Sequence, residues 1–217
     1  MKILNPATID PTRITNIVFD WGGVITNIDY HATVGAFSKI GHPSFEKYFT
    51  HHYQDDFFKN FEKGLVKPEE LIASISKEIG KEISLKDIEA AWCAMLLDTP
   101  PTRLEILKKL REKFKIFILS NTNSIHVNYY ENLLKKKYKI DFPSIFHKVY
   151  YSFELGMRKP DIEIFEFVLT DSKLDAQSTL FIDDTEINIQ SADAVGMQAL
   201  YLTSDYSLEQ IFNSWVE

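Results

Sequence analysis

Ile14-Thr15-Asn16-Ile17-Val18-Phe19-Asp20-Trp21-Gly22-Gly23 is a short apolar run that stops at an acid and two glycines. Such a run suits a strand buried on both faces of a parallel sheet, feeding a tight loop at its carboxyl end. Working outward, similar runs recur at 115–119, 148–151, 179–182 and 199–202. The second ends at Ser120-Asn121-Thr122-Asn123, and the fourth at Asp183-Asp184. Helical patterns lie between them at 103–113, 125–136, 161–170 and 186–195. Strand and helix alternating over short connections predict an α/β fold, a Rossmann-like doubly wound parallel sheet with helices on both faces. Ligands of such sheets bind outside the carboxyl ends of the strands. Asp20, Ser120 and the Asp183-Asp184 pair all fall there, so residues far apart in sequence are expected at one edge.

Between Asn27 and Asp98 the pattern changes. Helical stretches follow one another at 32–40, 45–51, 57–61, 68–79 and 85–97, with no strand of comparable quality. Pro68 followed by Glu69-Glu70 fits a helix start with acids in its first turn. The expected layout is an α/β core of residues 1–26 and 99–217 with an inserted α-helical cap at 27–98. Asp98-Thr99-Pro100-Pro101 reads as the return hinge, since consecutive prolines disfavour a continuous helix.

The composition bounds the partners. The 217 residues carry a net charge of -7 and are 45% hydrophobic, an ordinary globular balance with enough apolar content for a core. Acids outnumber bases, 31 to 24, and no long basic cluster appears, which argues against nucleic acid. Lys135-Lys136-Lys137 reads as a solvated helix end. No apolar stretch approaches a membrane span. Met1 to Pro11 shows no signal-peptide pattern. The single cysteine, Cys93, lies in an apolar helical run and reads as a buried thiol, so a reducing, cytoplasmic compartment is expected.

Four strings carry the chemistry. In Phe19-Asp20-Trp21-Gly22-Gly23-Val24-Ile25, a carboxylate stands beside a glycine loop whose backbone N–H groups suit phosphate. Aspartate can also attack phosphorus as a nucleophile. The ordinary alternative is a turn. Ser120 and Asn121 offer polar groups to phosphate oxygens, or else a helix cap. Lys159, in Gly156-Met157-Arg158-Lys159-Pro160, would offset the charges of phosphate and carboxylate. Asp183 and Asp184 repel each other unless something positive lies near, and Mg²⁺ shared by Asp184 and Asp20 would supply it.

In this order the strings resemble the haloacid dehalogenase-like hydrolase superfamily, over the whole chain from about Ile14. The nearest subgroup includes bacterial α-D-glucose-1-phosphate phosphatase and the N-terminal phosphatase domain of soluble epoxide hydrolase. The most specific match is Leu155-Gly156-Met157-Arg158-Lys159-Pro160. The resemblance implies a Mg²⁺-dependent phosphatase of small phosphorylated metabolites, sugar phosphates foremost, working through an aspartyl phosphate. Asp20 would be nucleophile and metal ligand, and the Gly22 backbone carbonyl a second ligand. Ser120 and the Asn121 N–H would bind the phosphoryl group, and Lys159 would bridge phosphate and Asp20. Asp184 would ligate the metal directly, with Asp183 a water-mediated ligand or an orienter of Lys159. Most phosphatases of the superfamily carry a second aspartate, the general acid and base, where this chain has Gly22. The named subgroup shares that glycine. Two alternatives stay open: a metal-independent 2-haloacid dehalogenase, and a catalytically weakened binding or regulatory protein.

Other residues read more plainly. Adjacent histidines His51-His52 point about 100° apart on a helix and do not chelate together. His126 follows the second string, near the cleft, with the helix surface as its default place. Phe57, Phe58 and Phe61 suit a cap core, and Glu62-Lys63-Gly64 a turn leaning over the site.

Overall fold

The computed structural model describes residues 9–47, 55–80 and 83–216. Strands β1 (Asn16–Phe19), β2 (Lys115–Ser120), β3 (Lys148–Tyr151), β4 (Thr179–Asp183) and β5 (Gln198–Tyr201) form one sheet in the order β3-β2-β1-β4-β5. All neighbouring strands pair in parallel. The helices, in chain order, are α1 (Tyr30–Ile40), α2 (Asp56–Glu62), α3 (Pro68–Ile79), α4 (Leu85–Cys93), α5 (Pro101–Lys113), α6 (Ser124–Tyr138), α7 (Ser152–Leu155), α8 (Ile162–Asp171), α9 (Glu186–Ala194) and α10 (Leu208–Val216).

Alternation along the strands sends side chains to two cores. Ile17, Phe19, Ile116, Ile118, Leu180 and Ile182 pack with α5, α6 and α10 through Leu107, Tyr130 and Phe212. Val18, Phe117, Leu119 and Phe181 pack on the opposite face with Phe165 and Val168 of α8 and Ile189 of α9. Helices therefore cover both faces, which removes water from every central strand. Burying one such side chain contributes about 1.5–3 kcal/mol. The direction of strand order reverses between β1 and β4, and that switch point opens a crevice at their carboxyl ends.

Helices α1 to α4 build a third core, centred on Phe37, Phe58, Phe61, Leu71, Ile88 and Trp92. The chain reaches and leaves them as an antiparallel pair: Asn27 N–H donates to the Asp98 carbonyl at 2.9 Å, and Leu97 N–H to the Asn27 carbonyl at 3.0 Å. This pairing explains why α4 stops at Cys93 rather than running to 97. Pro100 and Pro101 open α5 instead of interrupting it, since a proline at the first helical position lacks only an N–H that the helix does not use. Of the helix expected at 45–51, the structure has the single turn Phe45–Lys47, and the rest lies outside the described residues. Helices α7 and α10 were not expected from the sequence. Among the described residues, no helix is long and apolar enough to cross a membrane.

Candidate active site

The β1 and β4 register sets Phe19 beside Ile182, so the next residues, Asp20 and Asp183, emerge side by side at the switch point. The Asp20 N–H donates to the Ile182 carbonyl at 2.8 Å, extending the ladder by one rung. Lys159 arrives from the loop before α8. Its Nζ donates to Asp20 Oδ1 and to Asp183 Oδ2, each at 2.6 Å. The lysine is 1% exposed, so both bonds are shielded from solvent. Asn121 holds this loop in place: its Oδ1 accepts from the Lys159 N–H and its Nδ2 donates to the Lys159 carbonyl, both at 2.8 Å. The Asn121 side chain is thus committed to backbone, away from any ligand.

Asp183 is saturated. Its Oδ1 accepts from the Thr185 N–H at 2.8 Å, and Asn188 Nδ2 donates to both carboxylate oxygens at 3.1 Å. Asp184 differs, with one long bond of 3.4 Å from the Thr185 hydroxyl. Its Oδ2 presses toward Gly23, where a β-carbon would stand 1.9 Å away. Gly23 also has φ +76°, a left-handed backbone that favours glycine. Ser120, 4% exposed at the end of β2, keeps its hydroxyl free of partners among the described residues.

Oxygens of Asp20, Asp183 and Asp184 lie within 4.8 Å of one another. Three carboxylates face one ammonium, an excess of two negative charges if all are ionised. Burial pushes the Asp20 carboxyl up, Lys159 draws it back, and Asp183 and Asp184 add to the push, with the balance upward. Burial, then Asp183, pushes Asp184 up to about 6. Burial alone would lower the Lys159 ammonium, but Asp183 and Asp20 outweigh it and hold it charged. An all-oxygen donor set with two surplus charges fits a hard divalent cation such as Mg²⁺.

These groups line one wall of a cavity of about 250 Å³, whose other walls include Tyr30, Glu62, Trp92, Met95, His126 and Arg158. Glu62 of α2 accepts from Arg158 Nη2 at 2.8 Å and Nε at 3.1 Å, tying the helical layer to the loop that carries Lys159. Burial raises the Tyr30 phenol, and Asp184, Glu62 and Asp20 raise it further, so it stays protonated. His126 is 7% exposed and lines the cavity, which corrects its expected place on the helix surface. The cause is the packing of α4: Trp92 covers the ring, with centroids 5.2 Å apart. Sequence reasoning gave no role to Tyr30, Arg158 or Asn188. His51-His52 lies outside the described residues.

The family model for haloacid dehalogenase-like hydrolases matches residues 14–196. The chain belongs to that family. Within it, the chain is 30% identical over 185 residues, 85% of its length and 90% of the relative's, to a D-ribitol-5-phosphate phosphatase of Bacteroides thetaiotaomicron. It superposes with a TM-score of 0.88 and 37% identity on a haloacid dehalogenase-like enzyme of Bacteroides thetaiotaomicron, crystallised as an aspartate-to-alanine variant with magnesium and inorganic phosphate. The match covers 92% of this chain and 98% of that one. A haloacid dehalogenase-like hydrolase of Porphyromonas gingivalis matches with a TM-score of 0.85 and 28% identity over 94% of this chain and 99% of its own.

Proposed function

We propose that this haloacid dehalogenase-like hydrolase is a Mg²⁺-dependent phosphatase of small phosphorylated metabolites, with sugar and polyol phosphates as its substrate class. The observation that carries the reading is the doubly bonded Lys159, held between Asp20 and Asp183 on the wall of a cavity that Asp184 shares. The D-ribitol-5-phosphate phosphatase relative supports the substrate class.

In this reading an Asp20 carboxylate oxygen attacks phosphorus in line. The bond from phosphorus to the alcohol oxygen breaks as the aspartyl phosphate forms, and the departing alkoxide takes its proton from water. A second water then attacks phosphorus, releasing inorganic phosphate and restoring Asp20. Lys159 holds Asp20 and neutralises the phosphate as it approaches, and Asp183, with Asn188, orients Lys159. The Ser120 hydroxyl and the Asn121 N–H bind phosphoryl oxygens. Mg²⁺, held by Asp20, the Gly22 carbonyl and Asp184, would neutralise the remaining phosphoryl charge. Residues 27–98 act as a cap that excludes bulk water and contacts the leaving group. With no carboxyl at Gly22, alcohols that leave as weak bases react best. Two acids beside the nucleophile would repel a haloacid in a metal-free site, which disfavours the dehalogenase reading. The buried lone Cys93 fits a reducing, cytoplasmic compartment.

The test is hydrolysis of p-nitrophenyl phosphate by the purified protein with Mg²⁺, then of a panel of sugar and polyol phosphates. EDTA should stop turnover and Mg²⁺ restore it. Asp20→Asn should abolish turnover with an unchanged circular dichroism spectrum. Substantial turnover by that variant would sink the nucleophile assignment.

A further inference from the structure

His126 occupies the third position of α6, after the Asn123 cap whose Oδ1 accepts its backbone N–H at 3.0 Å. Its ring Nε2 lies 3.1 Å from the Trp92 carbonyl oxygen. A carbonyl only accepts, so Nε2 carries the hydrogen and Nδ1 holds a lone pair. Two effects keep this ring neutral. Burial lowers its pKa to about 4, and the amino end of a helix disfavours a cation. Nδ1 has no partner among the described residues. Nor is it sealed in: the sealed polar side-chain atoms without a partner among those residues are Arg103 Nε and Glu209 Oε2. His126 is one of the residues that line the cavity, together with Asp20 and Lys159.

We infer that the His126 Nδ1 lone pair accepts a hydrogen bond from a hydroxyl of the leaving group, and so selects polyhydroxylated phosphate esters over apolar ones. The inference rests on the phosphatase reading and deepens it. Asp20, Ser120, Lys159 and Asp184 surround the phosphoryl end, whereas His126 stands where the core meets the cap, stacked on Trp92 of α4. A group there meets the alcohol rather than the phosphate. Rotation cannot hide the lone pair, because the Trp92 bond fixes the ring. An apolar leaving group would strip water from Nδ1 and return no donor. A site built around a polar contact rejects analogues that lack it far better than an apolar pocket rejects added hydroxyls. Glu62 and Arg158 line the same cavity, so the wall mixes acceptors and donors as a polyol chain requires.

The test compares two five-carbon esters, D-ribitol 5-phosphate and n-pentyl phosphate, with Mg²⁺ present. The wild-type protein should favour the ribitol ester in kcat/KM by at least about tenfold. In His126→Leu that preference should fall by roughly ten- to hundredfold, chiefly through KM for the ribitol ester. An equal loss on both esters, or a wild type with no preference, overturns the inference. A second measurement covers a variant that misfolds. In the ¹⁵N-histidine-labelled wild-type protein with Mg²⁺ and inorganic phosphate, D-ribitol should move the His126 Nδ1 resonance and 1-pentanol should not. A hydrogen on Nδ1, or a resonance indifferent to D-ribitol, overturns it equally. A wild type inactive on p-nitrophenyl phosphate would sink the phosphatase reading itself, and this inference with it.

Discussion

Ile28 lies over Gly22: its Cγ1 stands 3.2 Å, and its Cδ1 3.3 Å, from where a β-carbon on that glycine would sit. The glycine that stands where the superfamily resemblance would expect an acid is thus roofed by an apolar side chain from the segment leading into α1.

Restoring the acid alone should therefore fail. Gly22→Asp must displace Ile28, and overpacking of this kind costs about 1–3 kcal/mol. We expect lower turnover of alkyl phosphates than in the wild type. Gly22→Asp combined with Ile28→Ala should exceed the single variant, because the roof is gone and a proton donor is present. Steady-state rates on esters with poor leaving groups decide it. A single variant as active as the double would show that Ile28 does not constrain the site.

Gly23 should prove as restrictive for another reason. Gly23→Ala puts a β-carbon within 1.9 Å of Asp184 Oδ2 and asks alanine to hold φ +76°. The backbone strain alone is about 1–2 kcal/mol. Asp184 must turn away, so the Mg²⁺ concentration for half-maximal activity should rise by at least about tenfold, equivalent to about 1.4 kcal/mol of metal binding. A magnesium titration of activity checks this, and an unshifted midpoint would count against Asp184 as a ligand.

The bond between Glu62 and Arg158 joins residues 96 apart in sequence that both line the cavity. Both side chains are largely buried, at 10% and 16% exposure. Removing one partner of such a pair leaves the other charge poorly solvated. Glu62→Ala should raise KM for a sugar phosphate by about tenfold while kcat changes less, since the reacting groups at Asp20 are untouched. Equal changes in kcat and KM would place Glu62 in the chemistry instead.

Acid should expose the cost of burying His126 as a neutral ring. Its folded pKa is about 4 against an ordinary 6.5, so the unfolded chain binds the proton first. The neutral ring's contribution is complete above pH 6.5 and is lost as pH falls toward 4. Full loss is about 3 kcal/mol. Asp20 and Asp184 shift the other way, so the difference between proteins isolates the ring. Urea midpoints at pH 7 and 4.5 should converge between the wild-type protein and His126→Asn as pH falls. A constant gap would contradict the assignment.

Much of the site was legible because all of its parts but the Lys159 loop end strands. Apolar runs stopping at Asp20, Ser120 and Asp183 are local signals, and parallel pairing brings their ends together by rule. The helical block before Asp98 was legible for the same reason, since apolar spacing along a helix needs no tertiary information. Helix ends were less so: α4 stops at Cys93 because its continuation is taken up by pairing with residues 27–29.

What the amino-acid order determined by itself was the kind of sheet, the order of the four strings and the chemistry their side chains offer. Tertiary structure alone decided how that chemistry is shared out. It bound Asp183 to Lys159 and Asn188 while leaving Asp184 turned toward Gly23. It also roofed Gly22 with Ile28, paired Glu62 with Arg158 and stacked His126 on Trp92 at the cavity wall. Periodicity reports which face of an element is apolar. Which side chains meet across two packed layers depends on how those layers dock, and no local pattern encodes that.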